Sequence, residues 1–180
     1  MQTVNPEPGA ILREIAEQCG RAAAGLPQPI EQVDEWSGVA FRLGGSRLVA
    51  PLDEVVEIIN WPELTTIPHT RAWVRGIANI RGSLLPVIDM NAFLGGTPLQ
   101  VTCRSRVLVL DHQGIFSGVA VDEVMGLRHF READVVNGPP DPETSLQPFV
   151  SQGVQVDGRV CGIFSLTALA EAPQFLCTAA

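Results

Sequence analysis

The segment covering residues 76–89 constrains the fold of this chain more than any other part of the sequence. It contains two short apolar runs, and the second, Leu84–Ile88, is apolar throughout, as is typical of a buried strand. Between the runs lies the dipeptide Arg81-Gly82, and glycine readily takes the positive φ that a tight hairpin turn requires. The segment therefore predicts two strands joined by a tight polar turn.

Arg81 is the single charge at this predicted turn, held between two apolar strands. Its guanidinium is planar and presents its donors in a rigid fork, so a turn of defined geometry would give that fork a direction. Two interpretations stay open from the residues alone: a solvated side chain at a hairpin tip, or a charge held for binding. Gly76, Asn79 and Gly82 are predicted as the structural residues of the turn.

The first 35 residues differ in pattern from the rest of the 180-residue chain. Apolar residues recur at helical spacing over residues 11–19, and a proline-containing stretch follows, which predicts an amphipathic helix on a tether. The helix either packs back on the body or serves as a separate docking peptide. We expect three parts: residues 1–35 with the helix, a domain over 36–172, and a tail over 173–180.

From Trp36 onward the pattern is typical of β-structure. The sequence favours a hairpin over residues 39–50 with its turn at Gly44-Gly45, and a strand over 55–59. Short helices are predicted at 90–94 and 166–171. Further strands are predicted at 106–110, 115–121, 124–130, 150–156 and 160–164. The acid- and proline-rich stretch 137–148 is predicted as an exposed loop.

Two internal echoes predict a duplicated unit. Residues 48–55 resemble residues 118–124, and the stretch from Gly82 to Met90 resembles the stretch from Gly158 to Leu166. Hydrophobic strands look alike, but two echoes in the same order favour two similar small barrels. The sequence thus predicts a mainly β fold built from two packed units.

Charge and motif content exclude several classes of function. The net charge of −8 and the absence of a basic run argue against nucleic-acid binding. The four cysteines are widely spaced with no Cys-x-x-Cys pair, so no zinc site is predicted. No nucleophile elbow, P-loop or linked histidine set occurs, so we expect no enzyme activity, cofactor or metal. With neither a signal peptide nor a membrane-spanning run, a cytoplasmic location is expected.

The order of these motifs resembles the CheW-like domain, whose members are adaptors of bacterial chemosensory arrays. The resemblance rests on residues 55–59, 63–68, 73–89 and 117–124, and it extends over roughly residues 37–170. It implies two five-stranded SH3-like β-barrel subdomains packed side by side, with short connecting helices. It also implies that the chain acts by binding partners rather than by catalysis.

The resemblance implies a groove that receives the cytoplasmic hairpin tip of a methyl-accepting chemoreceptor. Carried over by matching position, its residues are Val55, Glu57, Ile58 and Arg81. For Val55 and Ile58, a place in the core and a place in the groove stay equally open. For Arg81, a contact with the receptor and a structural bond to a loop are both open.

The second implied partner is the regulatory domain of a CheA-type histidine kinase, and contact with the membrane is expected only through the receptor. The opening Trp36–Leu43, the preceding helix and Trp73–Asn79 look like the adaptor type that serves chemosensory control of type IV pili and twitching motility. Two alternatives stay open: a small-molecule-binding barrel or minor enzyme that uses the inter-barrel groove, and a module that binds only the kinase.

Overall fold

The computed structural model describes residues 35–138 and 145–176, and these residues form mainly β-structure. The helix predicted over residues 11–19 lies outside the described residues. The strands are β1 (Glu35–Leu43), β2 (Ser46–Pro51), β3 (Glu57–Asn60), β4 (Val74–Ile80), β5 (Ser83–Asp89), β6 (Arg106–His112), β7 (Ile115–Val121), β8 (Glu123–Arg131), β9 (Val135–Asn137), β10 (Val150–Val156) and β11 (Arg159–Phe164). The helices are α1 (Met90–Phe93), α2 (Leu166–Glu171) and α3 (Pro173–Leu176), with 3-10 turns at Leu52–Glu54, Glu132–Asp134 and Gln147–Phe149.

The strands form two sheets, each the wall of one β-barrel subdomain. The first sheet has the order β8-β1-β2-β11-β10-β9, and the second has the order β3-β6-β7-β5-β4. The chain crosses between them twice: after β2 it enters the second barrel, and after β7 it returns to the first. The two barrels are therefore intertwined along the chain, and the predicted mainly β, two-barrel fold is confirmed.

The pairing pattern shows the duplication that the sequence echoes predicted. In the first sheet β2 pairs in parallel with β11, and in the second β7 pairs in parallel with β5. These four strands carry the two echoes. The outer neighbours also correspond, because β1 pairs with β8 as β6 pairs with β3. Each barrel thus repeats one strand arrangement.

The core explains why β1 and β6 are apolar over most of their length. In β6, Leu108 packs into a core shared by both barrels, whereas its neighbour Val107 packs inside the second barrel. In β1, Phe41 joins the shared core and Ala40 the interior of the first barrel. Successive strand residues point to opposite faces, so a strand between two cores must be apolar on both.

Some elements differ from the sequence prediction. The first sheet has a sixth strand, β9, whose three residues are too few to give a periodic pattern. The residues 173–176, predicted as tail, form α3, where Phe175 is buried in the shared core. Leu146 lies in the predicted exposed loop but is also buried there. In both cases, an apolar side chain is buried against residues distant in the sequence, which a local pattern does not show.

Candidate functional site

The turn between β4 and β5 has the geometry that its sequence favours. Arg81 has φ +53° and Gly82 has φ +89°, and two successive positive φ values are the mark of a type I′ turn. The Asn79 side chain supports the turn, because its Oδ1 accepts a hydrogen bond of 2.9 Å from the backbone N–H of Gly82. Arg81 is therefore presented at a defined hairpin tip.

The Arg81 guanidinium forms an ion pair with the carboxylate of Glu57. Arg81 Nη2 donates to Glu57 Oε1 over 2.8 Å, and the two side chains are 80% and 33% exposed. Since β3 and β4 are the two edge strands of the second sheet, the pair spans the seam where this barrel closes. The contact directs the arginine while leaving most of it open to a partner.

Val55 and Ile58 lie differently from this pair. Val55 is only 8% exposed and belongs to the shared core, whereas Ile58 is 39% exposed. Ile58 pairs across the sheet with Leu108, which also faces the shared core, while Glu57 pairs with Val109 inside the second barrel. Because neighbouring strand residues face opposite sides, these four residues do not form one continuous strip.

Gly76 lies inside β4, at a bulge, rather than in the turn. Its φ is +143°, and a Cβ at this position would lie 2.6 Å from the Thr65 carbonyl oxygen. Thr65 and Ile77 exchange two backbone hydrogen bonds of 2.9 Å. The glycine therefore allows the segment that follows β3 to lie directly against β4.

The first barrel carries a counterpart of the Arg81 pair with the charges exchanged. Asp157 opens the β10–β11 turn with φ +48°, followed by Gly158 with φ +75°, and its Oδ2 lies 3.3 Å from Arg128 Nη2 on β8. β8 occupies in the first sheet the position that β3 has in the second. An exposed apolar residue stands two positions after each turn glycine, Leu84 in one hairpin and Val160 in the other.

Sequence reasoning missed this counterpart pair and also a buried carboxylate. Asp89 is fully buried, and its side chain accepts backbone hydrogen bonds from Leu99 (2.8 Å) and Ala92 (3.1 Å). Arg75 lies 3.5 Å from Asp89 and places its guanidinium 5.8 Å from the Trp61 ring centroid. An aspartate between a strand and a short helix is an N-cap signal that could have found Asp89; the Arg128 pair has no such local signal.

Two histidines of the described residues have side-chain partners. His112 Nε2 lies 3.1 Å from Glu171 Oε1. His129 Nδ1 lies 2.8 Å from the Ser37 hydroxyl, but within the described ranges no carboxylate orients that imidazole. Residues 35–138 and 145–176 contain no group of three acidic, histidine or cysteine side chains placed to hold a metal. No helix among them is long and apolar enough to cross a membrane.

Comparison with known proteins places this arrangement in one family. Residues 37–174 match the CheW-like domain. Protein PilI of Pseudomonas aeruginosa is 42% identical over 169 residues, which cover 94% of each chain. The probable chemotaxis protein CheW of Rhizobium etli is 30% identical over 73% of this chain and 84% of that protein.

A solved structure agrees with these sequences. The scaffolding protein TtCheW from Thermoanaerobacter tengcongensis superposes with a TM-score of 0.67 at 27% identity, covering 77% of this chain and 94% of that chain. The alignment with PilI is too long to fit within residues 37–180, so it extends into the segment that precedes the CheW-like domain. From the matched domain, the relatives and the fold, this chain belongs to the CheW-like domain family and is similar to its PilI members.

Proposed function

We propose that this chain is a non-catalytic adaptor that couples a membrane chemoreceptor to a CheA-type histidine kinase in a chemosensory array controlling type IV pili. The similarity to PilI, to chemotaxis proteins named CheW and to a scaffolding protein supports this function. Two docking faces on one rigid body would hold receptor and kinase together by effective concentration. The chain would reach the membrane through the receptor alone.

The observation that carries the proposal is the Arg81–Glu57 pair at the seam of the second barrel. The pair fixes the direction of an exposed guanidinium at a hairpin tip. A specific contact with another protein requires a donor group held in one direction in this way. Ile58 on the edge strand β3 and Val56 just before that strand are 39% and 61% exposed, on the face opposite to Glu57. The oriented cation at the hairpin tip and this separate apolar surface on β3 would contact different parts of the helical tip of a receptor.

Val55 is proposed to act indirectly, by supporting strand β3 from the core. Because it is buried beneath β3, its side chain holds the strand in place rather than contacting a partner in this structure. Replacement of Val55 would therefore alter receptor binding by moving β3. This gives Val55 a role distinct from that of Ile58.

The kinase face is proposed on the first barrel, at the Arg128–Asp157 pair. The regulatory domain of such a kinase is itself a CheW-like fold, so it would present hairpins of the same kind. A face with exposed Asp157 and Val160 differs in charge from the Arg81 hairpin, and complementary charges select between partners. The two faces would therefore favour different partners.

Pull-down of the full chain with a receptor cytoplasmic hairpin and with a kinase regulatory domain tests both assignments. We expect Arg81→Ala to lose the receptor and keep the kinase domain. Arg128→Ala removes the same kind of exposed pair from the other barrel and is the matched control, expected to keep the receptor. Circular dichroism establishes that both variants are folded.

An exchange of charges separates a direct contact from a structural one. In the double variant Arg81→Glu with Glu57→Arg, the seam pair can re-form with reversed polarity. If Arg81 contacts the receptor, this variant is folded but does not bind it. Restored binding would show that the pair serves only to close the barrel, and failure of the wild-type chain to bind either partner would overturn the adaptor function.

A further inference from the structure

A surface cleft of about 700 Å³ opens in the first barrel, near the start of β1 and the end of β2. Trp36, Asp53, Glu132 and Gln152 line it, and Ile163 adds an apolar patch. Sites for small organic ligands measure about 300–1,000 Å³, so the cleft has the size of a binding site. None of these residues belongs to the two docking faces proposed above.

Two carboxylates in the cleft have no partner in the part of the chain that the structure describes. Across the described residues, neither Asp53 nor Glu132 accepts a hydrogen bond or forms an ion pair, and the lining includes no basic side chain. The neighbouring Arg131 is instead paired with Glu35 at 3.7 Å. Two uncompensated negative charges in one cleft favour a cation there.

The indole of Trp36 gives the cleft an aromatic wall of defined orientation. Its ring lies 4.6 Å from that of Phe130, centroid to centroid. A Cβ at Gly38 would lie 2.9 Å from the indole, so the glycine leaves the space in which the ring packs. Tryptophan is the aromatic side chain that attracts cations best, and the same fold already stacks Arg75 on Trp61 at 5.8 Å.

We propose that this cleft is a binding site for a guanidinium or alkylammonium group. The cation would lie against the Trp36 face between the Asp53 and Glu132 carboxylates, with its aliphatic stem on Ile163. Gln152 and Asn137 add amide groups that can accept or donate further hydrogen bonds. The site goes beyond the adaptor function and does not depend on it.

Titration of the ¹⁵N-labelled full chain with arginine amide tests the proposal. The chain has three tryptophans, and we expect the Trp36 indole N–H signal to shift while those of Trp61 and Trp73 serve as internal references. Citrulline amide has nearly the same shape and the same α-amino group, but a neutral ureido group replaces the guanidinium, so it should move the signal far less. Agmatine, which carries a guanidinium and a primary ammonium group, represents a small-molecule ligand, and a short capped peptide with a central arginine represents a protein side chain. Binding of either supports the site.

Variants assign the binding to the two carboxylates. The double variant Asp53→Asn with Glu132→Gln is expected to weaken arginine amide binding by about tenfold or more, since each charge-assisted hydrogen bond is replaced by a neutral one. The matched control is Glu63→Gln with Asp111→Asn, which neutralises two exposed carboxylates outside the cleft. An unmoved Trp36 signal with every cation, an equal shift with citrulline amide, or unchanged affinity in the first double variant would each overturn the proposal.

Discussion

The carboxylate of Glu54 binds the N-terminus of helix α2, more than a hundred residues away along the chain. Its Oε2 accepts hydrogen bonds from the backbone N–H groups of Leu166 (2.5 Å) and Thr167 (3.1 Å), and its Oε1 accepts one from the Ser165 hydroxyl (3.1 Å). Glu54 directly precedes the crossing into the second barrel, whereas α2 follows the last strand of the first. The contact ties that crossing to the end of the duplicated unit.

Replacement of Glu54 by glutamine should destabilise the protein. The amide keeps one acceptor oxygen but loses the charge, so we expect the free energy of unfolding to fall by about 1–3 kcal/mol. Urea denaturation followed by circular dichroism measures the change. The adjacent Asp53→Asn, at a carboxylate with no bond to the described residues, should stay within about 0.5 kcal/mol of wild type; equal effects of both substitutions would contradict the capping role.

The two exposed pairs, Arg81–Glu57 and Arg128–Asp157, should contribute little to stability. Their arginines are 80% and 45% exposed, and solvent-exposed ion pairs are worth about 0–1 kcal/mol. A double-mutant cycle on each pair, measured by urea denaturation at low and high ionic strength, should give a small coupling that salt weakens further. A coupling of several kcal/mol at Arg81 would instead assign it a structural function and weaken the receptor assignment.

Gly76 and Gly82 should differ in their tolerance of alanine. At Gly82 (φ +89°) a Cβ meets nothing within 4 Å, so Gly82→Ala carries only the backbone penalty of about 1–2 kcal/mol. At Gly76 the Cβ would also lie 2.6 Å from the Thr65 carbonyl oxygen, and we expect a loss of about 3 kcal/mol or more. Thermal unfolding of the two single variants makes the comparison, and equal midpoints would refute the close approach of the Thr65 segment.

The local parts of this fold could be predicted from the sequence because their signals are short-range. Gly82 between two apolar runs predicts a tight turn, and the pattern of residues 166–171 predicts a helix that the structure has as α2. The duplication was also readable, since each barrel repeats the same strand types in the same order. The turn and α2 depend on residues at most a few positions apart, whereas the duplication is read by comparing whole segments far apart in the sequence.

The remaining features depend on residues that only the folded chain brings together. The family resemblance implies one groove for Val55, Glu57, Ile58 and Arg81, yet the strand pairing puts Glu57 and Ile58 on opposite faces of β3. Arg128 pairs with Asp157, which is 29 positions away. The turn at Asp157 carries a negative charge, whereas the turn at Arg81 in the second barrel carries a positive one. No spacing rule connects such positions, because each pair joins an edge strand to a distant hairpin of the same barrel, and only the closing of the sheet brings them together.

The buried Cys161 should be far less reactive than the exposed Cys103. Burial raises the pKa of the Cys161 thiol, an effect that nearby Arg47 partly opposes, so the thiolate is scarce at neutral pH and sterically shielded. In a background with Cys19 and Cys177 replaced by serine, we expect a thiol reagent to label one cysteine quickly and the second only after denaturation.

The raised pKa of Cys161 also makes stability depend on pH. As pH rises, the thiol of the unfolded chain loses its proton before that of the folded chain, so the free energy of unfolding should decline above the ordinary thiol pKa of 9.0. Cys161→Ala should remove that part of the alkaline dependence, whereas Cys103→Ala should leave it; rapid labelling of both thiols in the native state would contradict the buried placement.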